Sequence, residues 1–164
     1  MSSIRKNFLI SIGIFVSLAA SRFIPHPPNF TSLLALSFYV PAIFGIRYLP
    51  VLLISFAITD IVIGYHMGTH WTWGSVLLIG LLSKFFLNSL YLRISGALFG
   101  VIIFYLITNF GVWFGGMYQP NFNGLLLSYT MALPFLGYSI LSTLIFSTII
   151  ETFLKFKIFQ HNKI

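Results

Sequence analysis

Pro25-His26-Pro27-Pro28-Asn29-Phe30-Thr31 is the stretch on which the fold turns, a stiff polar hinge between two apolar segments. Proline fixes its own φ and drives the preceding residue toward extended geometry, so three prolines this close together cannot lie inside a helix. The chain must leave its first helix here. Asn29 or Thr31 then stands where its side chain would cap the next helix, taking up a backbone N–H that a helix start leaves unpaired.

The segments on either side explain the hinge. The 164 residues are 58% hydrophobic and only 7% charged, with a mean hydropathy of +0.97, far outside the range of soluble domains. The chain reads as an integral membrane protein in contact with the lipid bilayer. Backbone groups left unpaired in lipid are costly, so the spans must be helices or a closed barrel. Long apolar runs with no alternation select helices. The absence of cysteine excludes disulfides, thiolate nucleophiles and sulfur metal sites. The net charge of +7 comes from nine Lys and Arg spread in ones and twos, so it reports orientation rather than a nucleic-acid footprint.

A bilayer core of about 30 Å takes about 20 helical residues. On that measure we expect one all-α transmembrane domain, residues 1–164, with six spans near Phe8–Ile24, Thr31–Ile46, Pro50–Tyr65, Trp73–Tyr91, Ile94–Phe114 and Leu125–Phe153. Met1 to Ala20 is basic and then apolar like a signal peptide, but Ser21-Arg22-Phe23 makes no small-x-small cleavage site, so the segment is kept as the first span. Pro134 predicts a kink or break in the last span, with Gly124–Leu133 as a separate short helix. Six spans place both termini on one side. Arg5, Lys6, Arg47, Lys84, Arg93, Lys155, Lys157 and Lys163 share that side and only Arg22 does not, which makes it cytoplasmic by the positive-inside rule. The expected location is the inner (cytoplasmic) membrane. Lys84 falls inside the fourth span, so it either snorkels or marks where that span stops.

The opposite face is assembled from Arg22–Thr31, His66–Thr72 and Gly115–Gly124. Three of the four histidines, His26, His66 and His70, gather there with all three tryptophans, Trp71, Trp73 and Trp113. Tyr65, Tyr118, Asn29, Asn109, Asn121 and Asn123 join them. Tryptophan and tyrosine anchor both membrane interfaces, but amides and imidazoles gain nothing from such a belt. Asp60 is the only acid before Glu151. An acid at helix centre costs about 2.5 to 3.5 kcal/mol on insertion scales, so Asp60 either serves structure, paired with Arg22 or at a capped helix end, or contacts or orients a ligand in an outward cavity.

His66 and His70 stand four apart, a metal-ligand spacing if both were helical. Gly68 and Thr69 argue against that, and hydrogen bonding to a solute is the preferred reading. Asn109 and Trp113 share a face at the end of the fifth span, and Asn109 must point into the bundle or a cavity to pair its amide. The run from Tyr118 to Gly124 reads as a lid or a static connector, with glycines 111, 115, 116 and 124 allowing it to move. Tyr129 and Pro134-Phe135 stand as a far cavity wall or as packing. Gly13, Ser17 and Ser21, like Gly96 and Gly100, recur at helical spacing and allow close helix approach within the bundle or to another protein. No serine–histidine–acid set, phosphate loop or strong metal motif is visible, so neither an enzyme nor a cofactor is expected.

Ser21-Arg22 with the hinge, Asp60 with Gly64 and His66, Thr108-Asn109-Phe110-Gly111-Val112-Trp113, and Tyr129 with Ala132-Leu133-Pro134-Phe135 resemble a family of small bacterial and eukaryotic membrane proteins described as transport proteins. That family is related to the substrate-binding S components of energy-coupling factor transporters. The resemblance runs from the end of the first span to the last. It departs where the family has Tyr and Pro adjacent and this chain has Tyr118-Gln119-Pro120, and where the family has an acid after the Pro-Phe pair and this chain has Ser142 and Thr143. It implies an S-component-like six-helix bundle that topples in the membrane during transport, an outward site for a vitamin or similar micronutrient, and a partner complex of a transmembrane coupling protein with two ATPases. The candidate solute-binding residues are Arg22, His26, Asn29, Phe30, Asp60, His66, Trp71, Asn109, Trp113, Tyr118 and Tyr129. Two alternatives stand beside this reading: a cell-envelope scaffold, and an intramembrane metal-dependent enzyme using Asp60 and the histidines.

Overall fold

The hinge ends one helix and delivers the next into the middle of the molecule. A computed structural model describes residues 2–161, with side chains through residue 155. Lys163 and the side chain of Lys157 lie outside what is described. The helices are α1 (Ser3–Phe23), α2 (Leu33–Phe44), α3 (Leu49–Ile63), α4 (Thr69–Leu82), α5 (Leu90–Phe114), α6 (Phe122–Met131) and α7 (Leu133–His161), with 3-10 turns at Ile46–Tyr48 and Ser83–Phe86. No strand occurs among the described residues.

At the hinge Asn29 takes a left-handed backbone with φ of 63°, a conformation asparagine tolerates better than most residues. The N-cap of α2 is Ser32 rather than Asn29 or Thr31, and its side chain makes no capping bond; Thr31, one residue earlier, takes up the Leu33 N–H on its Oγ1 at 3.3 Å. Ser21 of α1 closes the corner: its Oγ accepts from the Ser32 N–H at 3.1 Å and lies 2.7 Å from the Ser32 hydroxyl.

Side chains are distributed as a membrane requires. Ile61 is 79% exposed and Phe153 72%, whereas Ser37, Thr59, Ser75 and Thr143 have no exposed surface. Large apolar groups face outward and small polar ones line helix contacts, the reverse of a soluble bundle. Four segments are long and apolar enough to cross a bilayer: Ser3–Phe23, Ile46–Ile63, Leu90–Phe114 and Leu133–Lys155, with α2 a shorter apolar helix. This is a helical membrane protein.

Helix α2 is the hub, packing against α1, α3, α4, α5 and α7. It contributes Leu33 and Val40 to a core with Ile14, Leu18, Leu52 and Val76, and Leu34, Phe38 and Tyr39 to a second core with Ile79, Ala97 and Val101. The expected fourth span, Trp73–Tyr91, sits too far along the chain. Helix α4 begins at Thr69 and ends at Leu82, and Lys84 falls in the 3-10 turn beyond it. Apolar residues continue through Phe85, Phe86 and Leu87, so hydropathy alone could not mark the end.

The break near Pro134 is present. α6 stops at Met131 and α7 starts at Leu133, with Pro134 in its first turn, where its missing N–H costs nothing. α6 lies along the C-terminal half of α5, held by Tyr105 Oη donating to the Tyr129 carbonyl at 2.6 Å and Tyr129 Oη donating to the Leu106 carbonyl at 2.8 Å.

Candidate functional site

The two acids of the chain anchor opposite ends of the bundle. At the hinge end, Arg22 Nη2 lies 2.6 Å from Asp60 Oδ1, and Trp73 Nε1 donates to Asp60 Oδ2 at 2.6 Å. Arg22 also donates to Thr59 Oγ1 and rests 4.6 Å above the Phe56 ring. Both carboxylate oxygens are thereby engaged, so of the two roles open to Asp60 the geometry builds the structural pair. At the far end, Arg93 grips Glu151 through two bonds of 2.6 and 2.7 Å, and Tyr39 Oη donates to Glu151 Oε1 at 3.0 Å. Sequence reading missed this second cluster, because Tyr39 and Glu151 are 112 positions apart.

Between the hinge and the helix break lies a cavity of about 470 Å³. α5 forms one wall with Phe104, Tyr105, Thr108, Asn109 and Val112, while Ser128 and Met131 of α6 and Phe135, Leu136 and Ser139 of α7 form the other. Asn29, His66, Met117 and Tyr118 close it from the connecting loops. A second cavity of about 220 Å³ shares Asn29, His66, Thr72 and Phe104 with the first and reaches Arg22, His26 and Asp60. A third, about 530 Å³, runs along His66, Thr72, Thr108 and Val112 to Trp71, Phe114 and Met67. The three meet at His66 and Thr72, making one branched recess at the hinge end.

Of the sequence-predicted residues, Asn29, His66, Asn109 and Tyr118 line the main chamber, Arg22, His26 and Asp60 its side branch, and Trp71 the third cleft. Phe30, Trp113 and Tyr129 lie off these walls. Trp113 instead fixes the loop above the chamber, its Nε1 donating to the Gln119 carbonyl at 3.0 Å, and Tyr129 is tied to α5 as above. Thr72, Ser128 and Ser139 are wall residues that sequence reading passed over, and Thr108 was singled out only as part of the Thr108–Trp113 motif and not as a wall residue. Thr108 stands four after Phe104 and four before Val112, a spacing that puts all three on one face and that would have found it.

The matching sequence profile covers residues 2–163. The chain belongs to the DUF6580 family of unknown function. No curated protein and no solved structure matches it.

In this DUF6580 member the loop over the cavity is built rather than loose. Asn121 caps α6, its Oδ1 accepting from the Gly124 N–H at 2.9 Å, and its Nδ2 donates to Gln119 Oε1 at 3.1 Å. Two glycines expected to confer movement serve close approach instead: a Cβ at Gly124 would strike the Gln119 carbonyl, and one at Gly111 the indole of Trp71. The connection after α3 is equally defined. His66 Nδ1 accepts from the Gly68 N–H at 3.1 Å, so a neutral ring carries its proton on Nε2. His66 precedes α4 and His70 lies within it, so the two do not share a helical face. Among the described residues no group of three or more His, Asp or Glu is placed to hold a metal.

Proposed function

We propose that this protein is the solute-binding membrane subunit of an uptake system, taking a vitamin or related micronutrient from the outer side. The observation that carries the reading is the branched recess built where the last membrane leg breaks. Discontinuous helices are a recurrent way to build solute sites inside membrane bundles, and a cavity of about 470 Å³ falls within the size range of small-molecule sites.

In this reading α1, α2, α3, α4, α5 and the α6–α7 leg cross six times, an S-component-like arrangement with both termini in the cytoplasm of a cell whose inner membrane holds the protein. α2 and α4, with 12 and 14 residues, extend only about 18 and 21 Å. Their flanking turns and the hinge complete the crossing. The inner side is the one carrying Arg5, Lys6, Arg47, Lys84, Arg93 and Lys155. Energy for uptake would come from a coupling protein with two ATPases, the partner set implied by the sequence resemblance.

A scaffold predicts outer polar groups paired with one another and no cavity. The Arg22–Asp60–Trp73 cluster meets the first condition, and the recess weighs against the second. The test is thermal stabilisation of the purified protein against a panel of vitamins and cofactor precursors. We expect one compound class to raise Tm by several degrees, with the shift abolished in Asn109→Leu. Failure of every compound to stabilise either protein would contradict the reading.

A further inference from the structure

We infer that the occupant of this recess is an uncharged small molecule bearing N–H or O–H donors, and that carboxylates, phosphates and ammonium groups are rejected. The inference rests on the binding reading above and deepens it. Among the described residues, the main chamber has no Asp, Glu, Lys or Arg on its wall. The Arg22 cation and Asp60 anion of the side branch are closed on each other and on Thr59 and Trp73. A ligand charge would therefore find, among the described residues, no Asp, Glu, Lys or Arg free to pair with it in the recess, and an ion that gives up water without such a partner is disfavoured.

Hydrogen-bond chemistry sharpens the class. Thr72, Thr108 and Ser128 each direct their hydroxyl proton at a carbonyl of their own helix, at 2.7, 2.8 and 2.8 Å, and Tyr105 directs its own at the Tyr129 carbonyl. Their oxygens present lone pairs to the chamber. Asn109 places one amide proton on the Tyr105 carbonyl at 2.8 Å, leaving Oδ1 as an acceptor and the second N–H as a donor. Beside these the wall sets donors as well, the second amide N–H of Asn109, the Asn29 amide, the hydroxyls of Tyr118 and Ser139 and the Nε2 side of the His66 ring. The oxygens of Thr72, Thr108, Ser128 and Tyr105 have spent their protons and can only accept, so the molecule that meets them donates. An apolar body between Phe104, Val112, Phe135 and Leu136 with a donor-rich edge describes an uncharged heteroaromatic or cyclic amide.

The experiment uses the full-length protein in detergent and a fragment set of shape-matched pairs, each an uncharged amide, lactam or ureido ring beside its carboxylate, phosphate or ammonium counterpart. Saturation-transfer NMR reads binding to the wild type, Thr108→Val and Asn109→Leu, with unliganded Tm confirming that each variant is folded. Neutral members are expected to bind at least tenfold more tightly than their charged partners, with donor-bearing rings losing at least fivefold in Thr108→Val. Equal or tighter binding of the charged members would overturn the charge inference while leaving the site in place. Fragments bound identically by wild type and both variants would instead remove the site, and with it the reading on which the inference rests.

Discussion

Arg22 shows how one residue serves both fold and site. Its guanidinium is spread over Asp60, Thr59 and the Phe56 ring, and its side chain is 14% exposed against 6% for Asp60. Removing one partner of such a pair strands the other in a low-dielectric setting, at a cost of about 3 to 5 kcal/mol. We expect Asp60→Ala to lower Tm by roughly 10 °C. Arg22→Gln with Asp60→Asn should cost less than the sum of the two single changes, measured as a double-mutant cycle of thermal stability. Trp73→Phe removes only one donor and should cost about 1 to 2 kcal/mol. Gly111 makes a second residue-scale prediction. Alanine there meets the Trp71 indole, so Gly111→Ala should destabilise by about 1 to 3 kcal/mol. The same change should add little in a Trp71→Ala background.

At the scale of elements, α2, α5 and α7 are clamped by Tyr39, Arg93 and Glu151. Arg93 is 25% exposed, more open than Arg22, and water can take over part of its solvation. Glu151→Gln should therefore cost less than Asp60→Ala, about 1 to 2 kcal/mol, and Tyr39→Phe about 1 kcal/mol. Denaturation of the purified variants checks this ordering, and a Glu151 loss equal to that at Asp60 would refute it. Elements were legible where backbone chemistry is local. The hinge announces itself through proline, and the α6–α7 break through Pro134. The end of α4 was not legible, because Ser83–Phe86 changes winding without a change in hydropathy. Partners of Asp60 were only half legible: Arg22 was the cation expected on that side, but nothing in the pattern selected Trp73 among three tryptophans. The cavity wall was the least legible part, since Thr108, Ser128 and Ser139 come together only after α6 folds back along α5.

Among the described residues Arg5, Lys6, Arg47, Lys84, Arg93 and Lys155 lie at one end of the bundle and the recess at the other. That polarity is what an outward-facing receptor for an uncharged solute requires, and everything proposed about uptake depends on which end meets the outside. The chain has no cysteine, so single-cysteine reporters need no altered background. The most direct measurement is labelling of Thr108→Cys, on the cavity wall, and Lys84→Cys, at the opposite end, by a membrane-impermeant maleimide in intact cells and after permeabilisation. The account predicts that the cavity thiol reacts from outside in intact cells and that the thiol introduced by Lys84→Cys reacts only once the membrane is opened. The reverse pattern, or a cavity thiol reached only from the cytoplasmic side, would contradict it.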